Sequence, residues 1–499
     1  MNLNQKFEAL VAADPNASAI IFEGKLLTRR TFQAQVDGLA AGLAAQGIKA
    51  GDVVGVGLAN TPLHLMSLLA ITRLGAASLP LHPRSAPMAR RRLISRYGAR
   101  HVLVQVLPAR VPPNAGMTFL QVDQVLAAGQ AGFADKPLPS QPDPSSLGRI
   151  SLTSGTTGEP SSVAYTHANW LSRLERTAVG FDPATRLLVG SLHLTLGNIL
   201  AFAAMLAGGV VVFSPNKGAA GSFAETIRLY GVTHASMVPS GIKSLAAGAP
   251  PAGLAFPSLR QLRIVGGALS EHLHALARTR LTPHVLLPYG TSETGVITVA
   301  SAQMLQDHPG YCGTALPGVQ IEIVDEQDRV LGPGELGEIR VKVPLMPAGY
   351  HLDEARSTQK FKGGWFYTSD LGRLSAQGML LIEGRSDDRI NIAGIKMFPE
   401  QVENALDSHP LIKESAVFTV PDPQLGKKLV AALVSESSAQ ITHEQFLALC
   451  QSRKLAEKTP ADYFFCEALP RNPNGKLVRT ELPGLMNAAA AVHSLRKKG

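Results

Sequence analysis

The sequence predicts an α/β protein: a large N-terminal domain of layered, mostly parallel sheets that includes a β-rich subdomain, followed by a small α+β domain. Three observations carry this. Through the first three-quarters of the chain, short apolar runs alternate with amphipathic stretches, the rhythm of strands joined by helical crossovers. Residues 311–383 change to short alternating runs broken by Pro-Gly and Gly turns, the pattern of antiparallel strands. After Gly384 the pattern changes again, with apolar runs on either side of one amphipathic stretch.

Taken in order, Ala19–Phe22, Val53–Leu58, Ala77–Leu81 and His101–Val106 read as strands, and Thr31–Ala45 as a helix. The Pro-rich stretch Phe133–Leu147 reads as a connector. Val319–Val324 and Leu336–Val343 alternate as strands of the β-rich subdomain. Beyond it, Arg389–Ile395 reads as a strand, Pro399–His409 as a helix, and Ser415–Val420 and Leu429–Val434 as further strands. The polar triplet Ser386-Asp387-Asp388 reads as the junction, dividing the chain into 1–386 and 387–499. The Ala-rich Asn487–Val492 suits a frayed helix or disorder.

With 499 residues and 45% hydrophobic content, the chain can bury a large core and fill two or more domains. No segment reaches the roughly 18 uninterrupted apolar residues of a membrane span, and Met1–Leu10 has no apolar signal region, so cytoplasmic residence is expected. Cys312, Cys450 and Cys466 are too few and too scattered for a disulfide framework or a Cys-x-x-Cys metal site. The formal charge of +9 favours anionic partners such as ATP, coenzyme A or an acidic carrier protein. Nucleic acid is not expected: Arg84, Arg90, Arg91, Arg92 and Arg96 cluster, but no RNP-type or zinc-finger pattern accompanies them, and a solvated helix face accounts for them.

The stretch Ser151–Val163 holds Thr153, Ser154, Gly155, Thr156, Thr157 and Gly158 after an apolar run. Glycines let backbone amides approach an anion and hydroxyls add donors, so the segment suits a polyphosphate. An ordinary solvated loop has the same composition. It is not a Walker A loop, because no Gly-Lys-Ser/Thr follows at the required spacing. Further on come Gly266-Gly267-Ala268, Tyr289-Gly290-Thr291-Ser292-Glu293-Thr294-Gly295, Trp365–Gly372 and Gly384-Arg385-Ser386-Asp387-Asp388. Near the end stands Pro470-Arg471-Asn472-Pro473-Asn474-Gly475-Lys476.

In this order and at these separations the motifs resemble those of the adenylate-forming superfamily, which includes acyl-CoA synthetases, adenylation domains of peptide synthetases, and luciferases. The resemblance covers nearly the whole chain. It implies attack of a carboxylate on the α-phosphate of ATP, giving an acyl-adenylate and pyrophosphate, with the enzyme neutralising charge on phosphoryl oxygens.

By this resemblance Thr153, Ser154, Thr156 and Thr157 hold the β- and γ-phosphates. Gly266, Gly267 and Ala268 meet the adenine edge, and Tyr289, followed by Gly290, lies against its face. Ser292 donates to the α-phosphate, and Glu293 binds Mg2+, a hard cation that takes oxygen ligands. Asp370 accepts from the ribose hydroxyls, Arg385 contacts ribose or α-phosphate, and Lys476 bridges the substrate carboxylate and the α-phosphate. The same resemblance implies that the small domain is mobile. It turns about Asp387 to present Asn391–Lys396, where Gly394 admits a pantetheine arm and Lys396 lies on the thiol side. Two departures stand out: Ser161-Ser162 occupy the position usual for Lys-Gly, and Thr368-Ser369-Asp370 replaces Thr-Gly-Asp. Read without the family, Tyr289 is a core residue, Glu293 a helix N-terminal charge, Asp370 a turn cap and Lys476 a solvated lysine.

Ser191–Asn198 matches the region lining the carboxylate pocket, with His193 as its candidate gate. Thr195, Asn198, Val238, Gly266 and Thr294 are the other expected wall residues. No aspartate stands near Thr195 to hold an ammonium, which disfavours an α-amino acid and leaves an aryl or medium acyl acid. The leading expectation is an acid–thiol ligase using ATP, Mg2+ and coenzyme A. Transfer to a carrier-protein phosphopantetheine or to an amine shares the first step, and a non-catalytic nucleotide-binding module is the remaining alternative.

Overall fold

A computed structural model describes residues 2–108, 116–132, 142–152, 161–215, 220–247, 253–267, 269–392, 395–423, 426–436, 440–471 and 477–495. Its largest sheet has a parallel heart in which Val285–Thr291, Gln261–Ile264, His234–Met237, Arg186–Leu188, Val210–Val212 and Ser18–Phe22 lie side by side. Each of these strands buries apolar residues, among them Ile20, Leu187, Val211, Ala235, Leu262 and Val285, as the inner strands of a covered parallel sheet do. A second sheet orders Thr118–Gln121, His101–Val104, Val53–Gly57, Ala77–Pro80, Leu147–Leu152 and Ser162–Thr166, parallel except for the last. The expected helix runs Arg29–Ala45 with Thr28 as its N-cap. Arg90, Arg91, Arg92 and Arg96 of the basic cluster lie on the largely exposed helix Pro87–Arg96, and Arg84 precedes it.

The β-rich stretch is antiparallel, as its turns predict. It is not a separate layer, however: Thr298 pairs with Ala315, so these strands extend the large sheet. Residues 295–301 form one long hairpin arm with 285–291, and that continuity propagates the hydrogen bonding outward.

Past residue 386, Ile412–Asp422, Gly426–Ser435, Asp462–Phe465 and Val492–Ser494 form a four-stranded sheet. Val417, Leu429, Ala431 and Leu433 point to one face, against Val402, Leu406 and Phe446. Ala416, Phe418, Val430, Ala432 and Val434 point to the other, against Leu469 and Leu482. Both faces are covered, so the run shows no polar alternation. Two expectations need correction. Arg389–Ile395 is not one strand: Ile390–Ile392 and Ile395–Met397 pair antiparallel. The Ala-rich tail is neither a frayed helix nor disordered, since a helix ends at Ala488 and Val492–Ser494 pairs with Asp462–Phe464. Among the described residues no helix is long and apolar enough to cross a membrane.

The two parts meet through few, specific contacts. Lys243 Nζ donates to the carbonyls of Ile412 and Asp407, and Gln401 Nε2 to Glu383 Oε2 at 2.9 Å. Gly384 has φ +153°, and a Cβ there would lie 2.5 Å from the Phe398 ring. Gly384→Ala therefore forces the ring or the chain to shift, at a cost of about 1–3 kcal/mol. The expected readout is a lower thermal midpoint together with faster proteolysis around residues 386–398; an unchanged midpoint would show that the contact yields freely.

Candidate active site

The site assembles where the parallel strands of the large sheet end. Val238 follows His234–Met237 and Gly266 follows Gln261–Ile264, the edge of a parallel sheet at which ligands usually bind. Val238 is 45% exposed, and a Cβ built on Gly266 would touch its side chain at 3.5 Å. Gly266 and Gly267 are exposed, and Gly266 has a left-handed φ of +80° that favours glycine. Two of the predicted wall and adenine-edge positions are thus brought together on an open surface.

Next to them the hairpin Val285–Ser301 makes a tight turn. A Cβ on Gly290 would sit 2.1 Å from the Gly295 carbonyl oxygen, so only glycine fits there. Thr291 Oγ1 accepts from the amides of Glu293 and Thr294, each at 3.2 Å. Thr294 Oγ1 lies 3.1 Å from Thr291 Oγ1 and donates to the Gly295 carbonyl, and the residue is 1% exposed. Its hydroxyl braces the turn. Ser292 is half-buried, and its carbonyl is gripped from below by Arg173 Nη1 at 2.7 Å and by the Tyr165 hydroxyl. Arg176 Nη2 holds the Thr294 carbonyl at 3.2 Å. Burial, with Arg176 nearby, pushes the Arg173 guanidinium down to about 9.

Sequence reasoning missed Tyr165, Arg173 and Arg176, although one signal was readable. On the helix His167–Thr177, Arg173 falls in the apolar stripe of Trp170, Leu174 and Thr177, and a cation in a buried stripe needs partners.

Glu293 is 8% exposed, and its Oε1 accepts from the Tyr350 hydroxyl at 2.8 Å. Burial and the Glu293 charge hold the Tyr350 phenol above its ordinary value, so it stays protonated and donates. Glu293 retains carboxylate lone pairs beyond this bond. Among the described residues no group of three or more His, Cys, Asp or Glu is arranged to hold a metal. Mg2+ takes one or two carboxylates plus substrate phosphates and keeps several waters, a demand that the Glu293 carboxylate can meet.

A second chain of contacts begins at Tyr289, whose hydroxyl donates to Asp370 Oδ2 at 2.6 Å. Burial, then the Asp370 charge, raises this phenol well above its ordinary value. Arg385 Nη1 donates to Asp370 Oδ1 at 3.2 Å, and its Nη2 lies 3.6 Å from Asp387 Oδ2. Burial opposes the Arg385 charge, but Asp370, Asp387 and Asp388 together raise it. The predicted ribose, phosphate and hinge residues therefore form one connected set. The preceding Ser369 carries the second sequence departure in strained form: its φ is +63°, where glycine is favoured. Its amide donates to Glu338 Oε1 at 3.0 Å and its hydroxyl accepts from Lys360, and these bonds offset the strain.

His193 stands beside the end of the strand Val53–Gly57. Its Nε2 donates to the Leu58 carbonyl at 2.7 Å, and its ring lies 4.7 Å from that of His64 and 5.0 Å from that of His82. Thr195 opens the following helix and is half-buried. Asn198, one turn on, is fully buried and lines a small pocket with Ser78, Arg149, His167 and Trp170. The helix is buried nearly all round, and its fourth residue faces inward. Thr153–Gly158, Ala268, Gly394 and Lys476, and the side chain of Lys396, lie outside the described residues. The flanks of Lys476 are described: Arg471 and Leu477 bridge antiparallel, and Val478 N donates to Pro470 O at 2.8 Å.

Comparison with known proteins adds to this geometry. The family model described as AMP-binding enzyme matches residues 7–351, and that of the AMP-binding enzyme C-terminal domain matches 401–476. A 2-succinylbenzoate–CoA ligase of Bacillus velezensis is 30% identical over 94% of this chain and 95% of its own length. The fatty acid–[acyl-carrier-protein] ligase ScoC of Streptomyces coeruleorubidus is 25% identical over 94% of this chain and 93% of its own. Among solved structures, o-succinylbenzoate CoA synthetase (MenE) from Bacillus subtilis, in complex with the acyl-adenylate intermediate OSB-AMP, superposes with a TM-score of 0.84 at 25% identity, over 96% of this chain and 97% of that one. The same synthetase is also solved in complex with ATP and magnesium ion.

Burial, with the His82 charge, lowers the His193 imidazole from 6.5 to about 4. The unfolded chain therefore takes up a proton at this residue before the folded one does. Its contribution to stability is full above about pH 6.5 and is lost progressively as pH falls toward 4. In urea melts across that window, wild type is expected to lose more stability than His193→Gln, whose amide can still donate to Leu58. Parallel slopes would refute a buried, neutral His193.

Proposed function

The chain belongs to the AMP-binding enzyme family, and from that premise we propose that it activates an aryl or medium acyl carboxylic acid with ATP. The product is an acyl-adenylate, pyrophosphate leaves, and the acyl group passes to the thiol of coenzyme A. The observation that carries this reading is the connected set Tyr289, Asp370 and Arg385 beside the Glu293–Tyr350 pair. A nucleotide cleft needs a ribose acceptor, a phosphate-facing cation and a carboxylate for the metal within one surface, and these residues supply all three.

In this mechanism the carboxylate of Asp370, oriented by Tyr289 and Arg385, accepts from the ribose hydroxyls with its remaining lone pairs. Ser292 donates to the α-phosphate from a turn that Arg173 and Tyr165 fix beforehand, so little reorganisation is needed as charge develops. Glu293 is the residue that would hold Mg2+, which when bound neutralises charge on phosphoryl oxygens. Lys476, reaching the cleft from the small domain, stabilises the α-phosphate as the carboxylate oxygen bonds to phosphorus and the bond to pyrophosphate breaks. His193 stays neutral, so it borders the acyl group without repelling or pairing with a charge there. The half-exposed Val238 and the exposed Gly266 form the opposite wall.

For the second step the small domain, residues 387–499, turns about Asp387 and brings Gly394 and Lys396 to the pantetheine arm. The Arg385–Asp387 contact, at 3.6 Å and on an exposed carboxylate, is weak enough to break during that turn.

A panel of carboxylic acids scored for pyrophosphate release tests this reading. One acid class is expected to turn over, and Lys476→Ala to lose about 10²-fold or more in rate while keeping AMP affinity within about threefold. Equal rates in the two proteins would remove the lysine from the chemistry, and no acid-dependent release at all would return the chain to a nucleotide-binding module. Offering coenzyme A, a phosphopantetheinylated carrier and an amine to the preformed adenylate identifies the acceptor by which one releases AMP.

A further inference from the structure

We infer that Arg356 is a polyphosphate-binding residue, the cation that serves the β- and γ-phosphate end of the nucleotide in this protein. The inference rests on the adenylation reading above and adds a residue to it.

Residues 151–163 contain seven hydroxyl side chains, two glycines and one acid, Glu159, but no lysine or arginine. Hydroxyls and amides can cradle a triphosphate, yet its several negative charges are best matched by a cation, and a guanidinium fork fits phosphate oxygens closely. None is supplied within the segment, so a cation at this end of the nucleotide is a residue from elsewhere in the fold.

Arg356 lies on the short helix Glu354–Lys360, far away in sequence, and its Nη1 donates to the hydroxyl of Ser161. Ser161 is 3% exposed and is where the described chain resumes after the Ser/Thr/Gly stretch. The attachment is built rather than incidental. His351 N donates to the Ser162 carbonyl at 2.7 Å, Ser162 Oγ donates to the His351 carbonyl at 3.2 Å, and Val163 bridges Tyr350. The guanidinium carbon of Arg356 stands 5.1 Å from the centre of the Tyr350 ring. The hydroxyl of that same ring donates to Glu293. One tyrosine thus carries a cation over its face and the proposed metal ligand at its tip.

Among the described residues no carboxylate pairs with Arg356. A guanidinium has five N–H donors in a fork, and the one placed on Ser161 leaves others for an anion. A fastening role alone, tying the helix to Ser161, would need neither the charge nor this juxtaposition with Glu293.

The test compares the affinities of wild type, Arg356→Ala and Arg356→Gln for Mg·ATP, pyrophosphate and AMP, measured by titration calorimetry. Glutamine keeps a donor for Ser161 and removes the charge, so it carries the test if the alanine variant folds poorly. Both variants are expected to lose about tenfold or more in affinity for ATP and pyrophosphate, with AMP within about threefold of wild type. Equal weakening of AMP and ATP, or no change in either, would overturn the assignment of Arg356 alone. Wild type that bound none of the three ligands would overturn the adenylation reading and this inference with it.

Discussion

A buried guanidinium held by backbone carbonyls organises this active site. Arg173 is 4% exposed, and it hydrogen-bonds the Ser292 carbonyl and the Tyr165 phenol. Its charge is costly to bury, and the carbonyls at the end of a tight turn are what offset that cost. The bargain works in both directions: the turn can only be tight because Gly290 and Gly295 leave room, and a Cβ on Gly295 would come within 3.0 Å of Arg173 Nε. Everything that faces the cleft from this turn, Ser292 and Glu293 first, inherits its position from that underlying contact.

From the turn two chains of contacts run outward. One passes from Glu293 through the Tyr350 hydroxyl to the segment docked on Ser162 and Val163. The other passes from Tyr289 through Asp370 to Arg385 and Asp387. The first ties the proposed metal ligand to the edge of the Ser/Thr/Gly stretch, the second the ribose acceptor to the junction between the two parts of the chain. Raised phenol values at Tyr289 and Tyr350 have the same meaning in both: each is a donor that stays protonated beside a carboxylate.

The junction itself combines a rigid point and a loose one. At Gly384 the ring of Phe398 occupies the space a side chain would need, which fixes the small part against the large one in this arrangement. Two residues on, Ser386–Asp388 is an exposed single turn. Torsion can be absorbed there without disturbing a core.

Strands, helices and the order of motifs were legible because they depend on neighbours in the chain. Apolar runs such as Leu429–Val434, glycines such as Gly290, and the phosphate-suited stretch at 153–158 announce themselves by composition and spacing. One misreading was local too: Arg389–Ile395 reads as a single run, but Ile390–Ile392 pairs back on Ile395–Met397. What the sequence could not contain is which side chains meet across the fold. Tyr350 reaches Glu293 across 57 residues and Tyr289 reaches Asp370 across 81. Such meetings follow from strand register and from which face of a helix turns inward, and those are decided only when the sheets pack. Asn198 is an example: the helix that carries it is buried nearly all round, and the residue faces a small pocket shared with Ser78, Arg149, His167 and Trp170. The sequence by itself determined the family and the kinds of groups available; the packing of distant segments decided which of those groups face one another, because hydrogen bonds and charge pairing act over a few ångströms of space, whatever the distance along the chain.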